Sequence, residues 1–192
     1  MEHLVKTKRA TQLIFLICGI GLSSWATMVP FAKERLGLND ASLGLLLLLL
    51  GAGAITLMPV ASGFIQRYGS RVVMRVSAIV IAACLPFLLL VSNTLVMGIL
   101  LFIFGGGIGV IDVAMNAHAV QVQNAYKKPI MSAIHGLFSV GGLLGSIGLG
   151  FLIQLGLSPI AAAVCISILL LWMVGTQYKF LLNREAENAI TE

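Results

Sequence analysis

The sequence predicts an all-α polytopic membrane protein of six transmembrane helices. Three observations carry that expectation. Six mostly apolar runs, near residues 11–32, 40–65, 72–91, 95–121, 131–154 and 159–182, each have the roughly 20 residues a helix needs to cross a hydrocarbon core. The composition is 59% hydrophobic and 10% charged, with a mean hydropathy of +1.04, where a soluble domain carries about a quarter charged residues. The remaining charges are sorted. With a cytoplasmic N-terminus, one side holds Lys6, Lys8, Arg9, Arg67, Arg71, Arg75, Lys127, Lys128, Lys179 and Arg184, and the other holds only Lys33 and Arg35. The positive-inside rule then places both termini in the cytoplasm.

The first run follows Lys6, Lys8 and Arg9, a start that a secretory signal shares. It is too long for a signal core, and five more runs follow, so an uncleaved first helix is expected. Asn39-Asp40 reads as the N-cap of the second helix, after a charged outer loop at 33–39. Ser-Asn-Thr at 92–94 and Gly-Leu-Ser at 156–158 read as tight, uncharged outer turns. The inner loops at 66–71 and 122–130 are basic, and their charge suits an anionic leaflet with no reason to invoke nucleic acid. After Leu182 the chain turns polar and reads as a segment leaving the membrane, without a soluble domain. Cys18, Cys84 and Cys165 sit in three different runs without metal-ligand spacing, and read as small apolar fillers. No metal or cofactor is expected.

The third and sixth runs are almost wholly apolar and read as peripheral helices facing lipid. The fourth is different. Gly105, Gly109, Asp112, Asn116 and Ala119 recur at steps of four and three, which at about 100° per residue make one stripe. Asp112 is the only acidic residue within any run, and a carboxylate taken from water must face a cavity, face a partner or be protonated. On the fifth, His135, Ser139, Gly142 and Ser146 make a second polar and small stripe, and on the first Gln12, Gly19, Ser23, Ala26 and Pro30 make a third. Polarity on helices one, four and five is the pattern of a cavity wall. The bland alternatives are packing for the glycines (Gly105-xxx-Gly109 and Gly141-xxx-Gly145), interhelical hydrogen bonding for Asp112 and His135, and a solvated or backbone-bonded His118 at the membrane edge.

These residues resemble the N-terminal six-helix half of a major facilitator superfamily permease. Between the second and third runs the family pattern is G-x-L-A-D-R-x-G-R-R/K. The chain reads Ser62-Gly63-Phe64-Ile65-Gln66-Arg67-Tyr68-Gly69-Ser70-Arg71, matching at Arg67, Gly69 and Arg71, with Gln66 in place of the Asp that helps latch the two halves. Gly109-Val-Ile-Asp112-Val-Ala-Met-Asn116 resembles the G-x-x-E-x-x-x-N segment of fucose:proton symporter-like permeases, whose acidic residue carries the proton. The segment around His135-Gly136, with Ser24-Trp25-Ala26-Thr27 and Pro30, is similar to a further subgroup of bacterial inner-membrane permeases. The first helix lacks the carboxylate of the fucose symporter branch.

The resemblance implies secondary transport of a small polar solute, coupled to protons as a symport, without enzymatic activity. Asp112 is the implied proton-coupling residue, Asn116, His135 and Ser139 the implied solute contacts, and Arg67, Gly69 and Arg71 the implied cytoplasmic gating loop. The family's solute site lies between two halves. The expected partners are therefore membrane lipid, solute and proton, and a second six-helix half or a second copy. A remnant half that transports nothing by itself is the rival reading. An intramembrane serine protease of the rhomboid type requires Gly before the Ala-Ser-Gly of its nucleophile segment, and Val60-Ala61-Ser62-Gly63 lacks it.

Overall fold

The computed structural model describes residues 2–191. The chain forms α1 (Glu2–Leu36), α2 (Asp40–Tyr68), α3 (Ser70–Leu90), α4 (Thr94–Tyr126), α5 (Met131–Gln154), α6 (Pro159–Gln177), a single 3-10 turn (Tyr178–Phe180) and α7 (Arg184–Thr191). Among the described residues there is no strand, and six helices are long and apolar enough to cross a membrane. The protein is an all-α polytopic membrane protein.

Each apolar run lies in one helix, but the helices do not end where the apolar residues do. α1 starts at Glu2, nine residues before its run, and α4 continues to Tyr126. Lys, Gln and Glu are good helix formers, so the backbone extends past the lipid boundary. The sixth run ends early, at Gln177, where the 3-10 turn begins. The starts are set by polar caps. Asn39 Oδ1 accepts the Ser42 N–H at 2.8 Å, Asn93 Oδ1 accepts the Leu95 N–H at 2.9 Å, and Ser158 Oγ accepts the Ala161 N–H at 3.2 Å.

Two glycine-lined pairs build the bundle. In the first, α2 and α4 run parallel. A Cβ on Gly53 would overlap the Phe102 carbonyl oxygen, one on Gly105 the Leu50 carbonyl oxygen, and one on Gly109 would sit 2.7 Å from Ala54 O. In the second, α1 and α5 run parallel, with Gly19 against Phe138 O, Gly141 against Leu16 O, and Gly145 2.5 Å from Ile20 O by the same measure. In lipid the helices gain nothing from hiding apolar surface from one another, so such close backbone approach is what holds them.

α3 departs from expectation. It packs on α1, α2, α4 and α6 and buries Val73, Met74, Ser77, Ala78, Ile81 and Leu85 on that side. Only one face, with Val76, Ile79 and Phe87, is exposed. The least buried of the membrane helices are α2, which exposes Leu45, Leu48 and Ile55, and α5, which exposes Leu143, Ile147 and Phe151. Hydropathy cannot separate a protein core from a lipid face, because both are apolar.

The tail also departs from expectation. It does not simply leave the bundle. Leu181 and Leu182 are buried, and α7 lies against the end of α4. Asn183 caps it, with Oδ1 accepting the Ala186 N–H at 3.0 Å.

The basic residues gather at one end of the bundle. There Lys8 lies over the Tyr126 ring at 5.0 Å, and the Arg71 and Arg75 guanidinium groups lie over Tyr178 at 4.0 and 4.5 Å. At the opposite end Lys33 pairs with Asp40 at 2.5 Å, and Arg35 donates to the Leu88 carbonyl at 3.1 Å, closing the end of α3.

Candidate functional site

The α1–α5 pair brings the polar stripes of three helices together. Their glycines allow close contact, and α1 also packs on α4. Asp112 and Asn116, one turn apart on α4, are half-buried. The Asn116 amide donates to the Asp112 backbone carbonyl at 2.9 Å and to its Oδ1 at 3.2 Å. Among the described residues Asp112 makes no ion pair. The His135 ring on α5 and the Cys18 thiol on α1 both lie within electrostatic reach of it.

His135 is exposed, and its ring meets Phe15 of α1 edge to face, with centroids 5.3 Å apart and planes at 81°. Phe15 is fully buried, so it fixes one side of an imidazole that is otherwise exposed. Ser139, one turn further on, is exposed, and its hydroxyl donates to the His135 carbonyl at 3.4 Å. Asp112 and Asn116 therefore make one hydrogen-bonded pair on α4, with His135 of α5 within electrostatic reach of the carboxylate. Ser139 borders His135 with its hydroxyl turned toward its own helix. Gly105 and Gly109, on the stripe with Asp112, are packing residues against α2.

Arg67, Gly69 and Arg71 occupy one turn but do not converge on one point. Arg67 is exposed beside the Tyr68 ring at 5.3 Å, and Arg71 points the other way, onto Tyr178. Gly69 has φ 80° and ψ 152°, a combination essentially confined to glycine. Its N–H closes α2 on the Ile65 carbonyl at 2.8 Å. That conformation lets a single residue separate two membrane helices.

The structure corrects the reading of His118. It is neither solvated nor backbone-bonded. It is wholly buried, and its Nδ1 lies 2.7 Å from Ser70 Oγ and 3.2 Å from Glu187 Oε1. Ser70 and Glu187 drew no notice in the sequence. The available signal was Asn183 followed by Glu185 and Glu187, a cap and an acidic first turn that announce a helix start. Among the described residues, no group of three or more His, Cys, Asp or Glu side chains could hold a metal ion.

Six membrane-crossing helices, with a polar group gathered where α1, α4 and α5 meet, define a polytopic membrane protein with an internal polar face. The sequence matches the Major Facilitator Superfamily over residues 12–191, and the chain belongs to that family. It is 43% identical over 178 residues to an uncharacterized MFS-type transporter of Yersinia pestis, covering 93% of this chain and 46% of that protein. It is 34% identical over 160 residues to an uncharacterized transporter of Sinorhizobium fredii, covering 83% of this chain and 42% of the relative. It is also 34% identical over 144 residues to membrane protein MosC of Rhizobium meliloti, covering 75% and 35%. The chain thus spans less than half the length of these relatives. No solved structure matches it.

Proposed function

We propose that the chain forms one half of a secondary transporter that moves a small polar solute together with a proton. The observation that carries this reading is the group of Asp112, Asn116 and His135 at the junction of α1, α4 and α5. An acid without an ion-pair partner can exchange a proton without breaking a salt bridge. Asn116 holds one of its oxygens in place. His135 and Ser139 offer a solute hydrogen-bonding groups on the exposed side. Arg67, Gly69 and Arg71 form the turn that moves as the cavity changes sides.

The second half lies against α2 and α5 in this reading, because those are the least buried of the membrane helices and the relatives are about twice as long. Either a separate six-helix unit or a second copy fills that place. The decisive experiment uses vesicles holding the chain assembled with its complementary half. An inward solute gradient should acidify the lumen, read by a pH-sensitive dye. Solute entry without proton movement would remove the coupling, and no solute entry at all would favour the remnant reading, a half without a transport role.

The basic end faces the cytoplasm of a bacterial cell in this reading, supported by the charge asymmetry and by relatives that are all bacterial. Alkaline phosphatase joined within 92–94 should be active, and joined within 122–130 inactive. The reverse pattern would invert the topology.

A further inference from the structure

We propose that α7 is a strap, and that the α2–α3 turn with the end of α4 is its receptor, built to take one carboxylate. That carboxylate is Glu187. α3 begins at Ser70 directly after Gly69, which has no side chain to cap it. Its first N–H groups and the positive end of its dipole therefore need an acceptor from elsewhere. Gln66, in the preceding turn, is exposed. The acceptor arrives from 117 residues downstream: Glu187 Oε2 takes the Ser70 N–H at 3.1 Å. Glu187 Oε1 takes the Ser70 hydroxyl and lies 3.2 Å from His118 Nδ1.

The contact is a built site. Ser70, His118 and Glu187 are exposed by only 1%, 0% and 4%. A carboxylate so enclosed is tolerated only when its acceptors are filled. Gly69 fits the strap closely: a Cβ there would lie 3.1 Å from Arg184 Cβ and 3.4 Å from Glu187 Oε2. α7 has eight residues, too few for a stable helix alone, so its order comes from docking. Leu181 and Leu182, buried just before it, hold the strap's root. Closed, the strap ties the turn bearing Arg67, Gly69 and Arg71 to the helix bearing Asp112. The tail then sets how firmly that turn is held, whether or not Asp112 carries a proton.

Burial opposes the charge on Glu187, but the hydrogen bonds from His118 and Ser70, with the charge of His118, outweigh it and hold the carboxyl below its ordinary value. A carboxyl shifted down stabilises the docked state above its ordinary value of about 4.5, and that contribution fades as pH falls through the lowered one. Among the neighbouring cations, Arg71 and Arg75 turn to Tyr178, Arg67 lies by Tyr68, and the Arg184 Cβ lies against Gly69. The strap should therefore stay shut at neutral and mildly acidic pH.

Hydrogen exchange on the full chain in lipid nanodiscs tests this. Amides of 186–190 and of Ser70 should be protected, and Glu187→Ala should speed their exchange by at least about tenfold. Ser70→Ala, which keeps the backbone N–H, should have a smaller effect of the same sign. Tail amides in the unaltered chain exchanging at free-peptide rates, or indifferent to Glu187→Ala, would overturn the strap. Should Glu187→Ala fail to fold, a pH series on the unaltered chain decides. After correction for intrinsic exchange, protection should persist to pH ~4.5 and fail below it; loss centred near neutrality would overturn it.

Discussion

Vesicles carrying Asp112→Asn, assembled with a complementary half, should accumulate no solute against its gradient. Exchange of labelled for unlabelled solute should largely survive. Asn has the size of a protonated Asp and keeps a carbonyl oxygen where Oδ1 meets the Asn116 amide at 3.2 Å. What it cannot do is give up a proton. With one proton per solute, a gradient of one pH unit supports about tenfold accumulation, and the whole of that factor should vanish. A merely structural Asp112 predicts the opposite: less folded protein, with coupling intact in what remains. Unchanged uphill uptake in a well-folded Asp112→Asn variant would remove the mechanism, and His135 would be the next group to examine.

The largest loss of stability should come from one added methyl group at Gly105. Its Cβ would overlap the Leu50 carbonyl oxygen, and that obstacle is backbone, which has no rotamer to move into. The α2–α4 pair must separate, and the neighbouring contacts at Gly53 and Gly109 loosen with it. Overpacking of this kind costs roughly 1–3 kcal/mol, and a rigid obstacle puts Gly105→Ala at the upper end. Gly148→Ala is the control, since nothing lies within 4 Å of a Cβ there. On helix propensity alone that change should be neutral or stabilising, by up to about 1 kcal/mol. Unfolding by increasing mole fraction of SDS should separate the two. Equal midpoints would mean that α2 and α4 do not approach this closely.

How much of this was readable in the chain depends on which physical signal each part leaves. The membrane helices are written in runs of apolar residues, and the caps at Asn39, Asn93 and Ser158 are written in side chains that outcompete water for free N–H groups. The stripe on α4 was legible as a stripe, but not its division of labour. Gly105 and Gly109 face α2, while Asp112 and Asn116 face the junction with α1 and α5. Those residues lie within about 60° of one another, and only tertiary packing decides which neighbour each meets.

The burial of α3 left no mark, because Ala78, Ile81 and Leu85 would suit lipid equally well. The tail hid for a different reason. A segment with Arg184, Glu185, Glu187 and Asn188 has the composition of solvent-exposed chain, and its partner residue Ser70 lies 117 positions away. Long-range pairing of one buried acid with a serine and a histidine has no local pattern to betray it.

The two glycine-lined pairs also impose a timetable. Each joins the first three helices to the last three: α2 closes on α4, and α1 on α5. At about 5–20 residues per second, the ribosome makes Gly105 some 3–10 seconds after Gly53, and Gly141 some 6–25 seconds after Gly19. Throughout that interval α1 sits in the bilayer beside the insertion machinery with its closest neighbour not yet made. The bundle cannot form helix by helix in the order of synthesis; its first member is among the last to find its place.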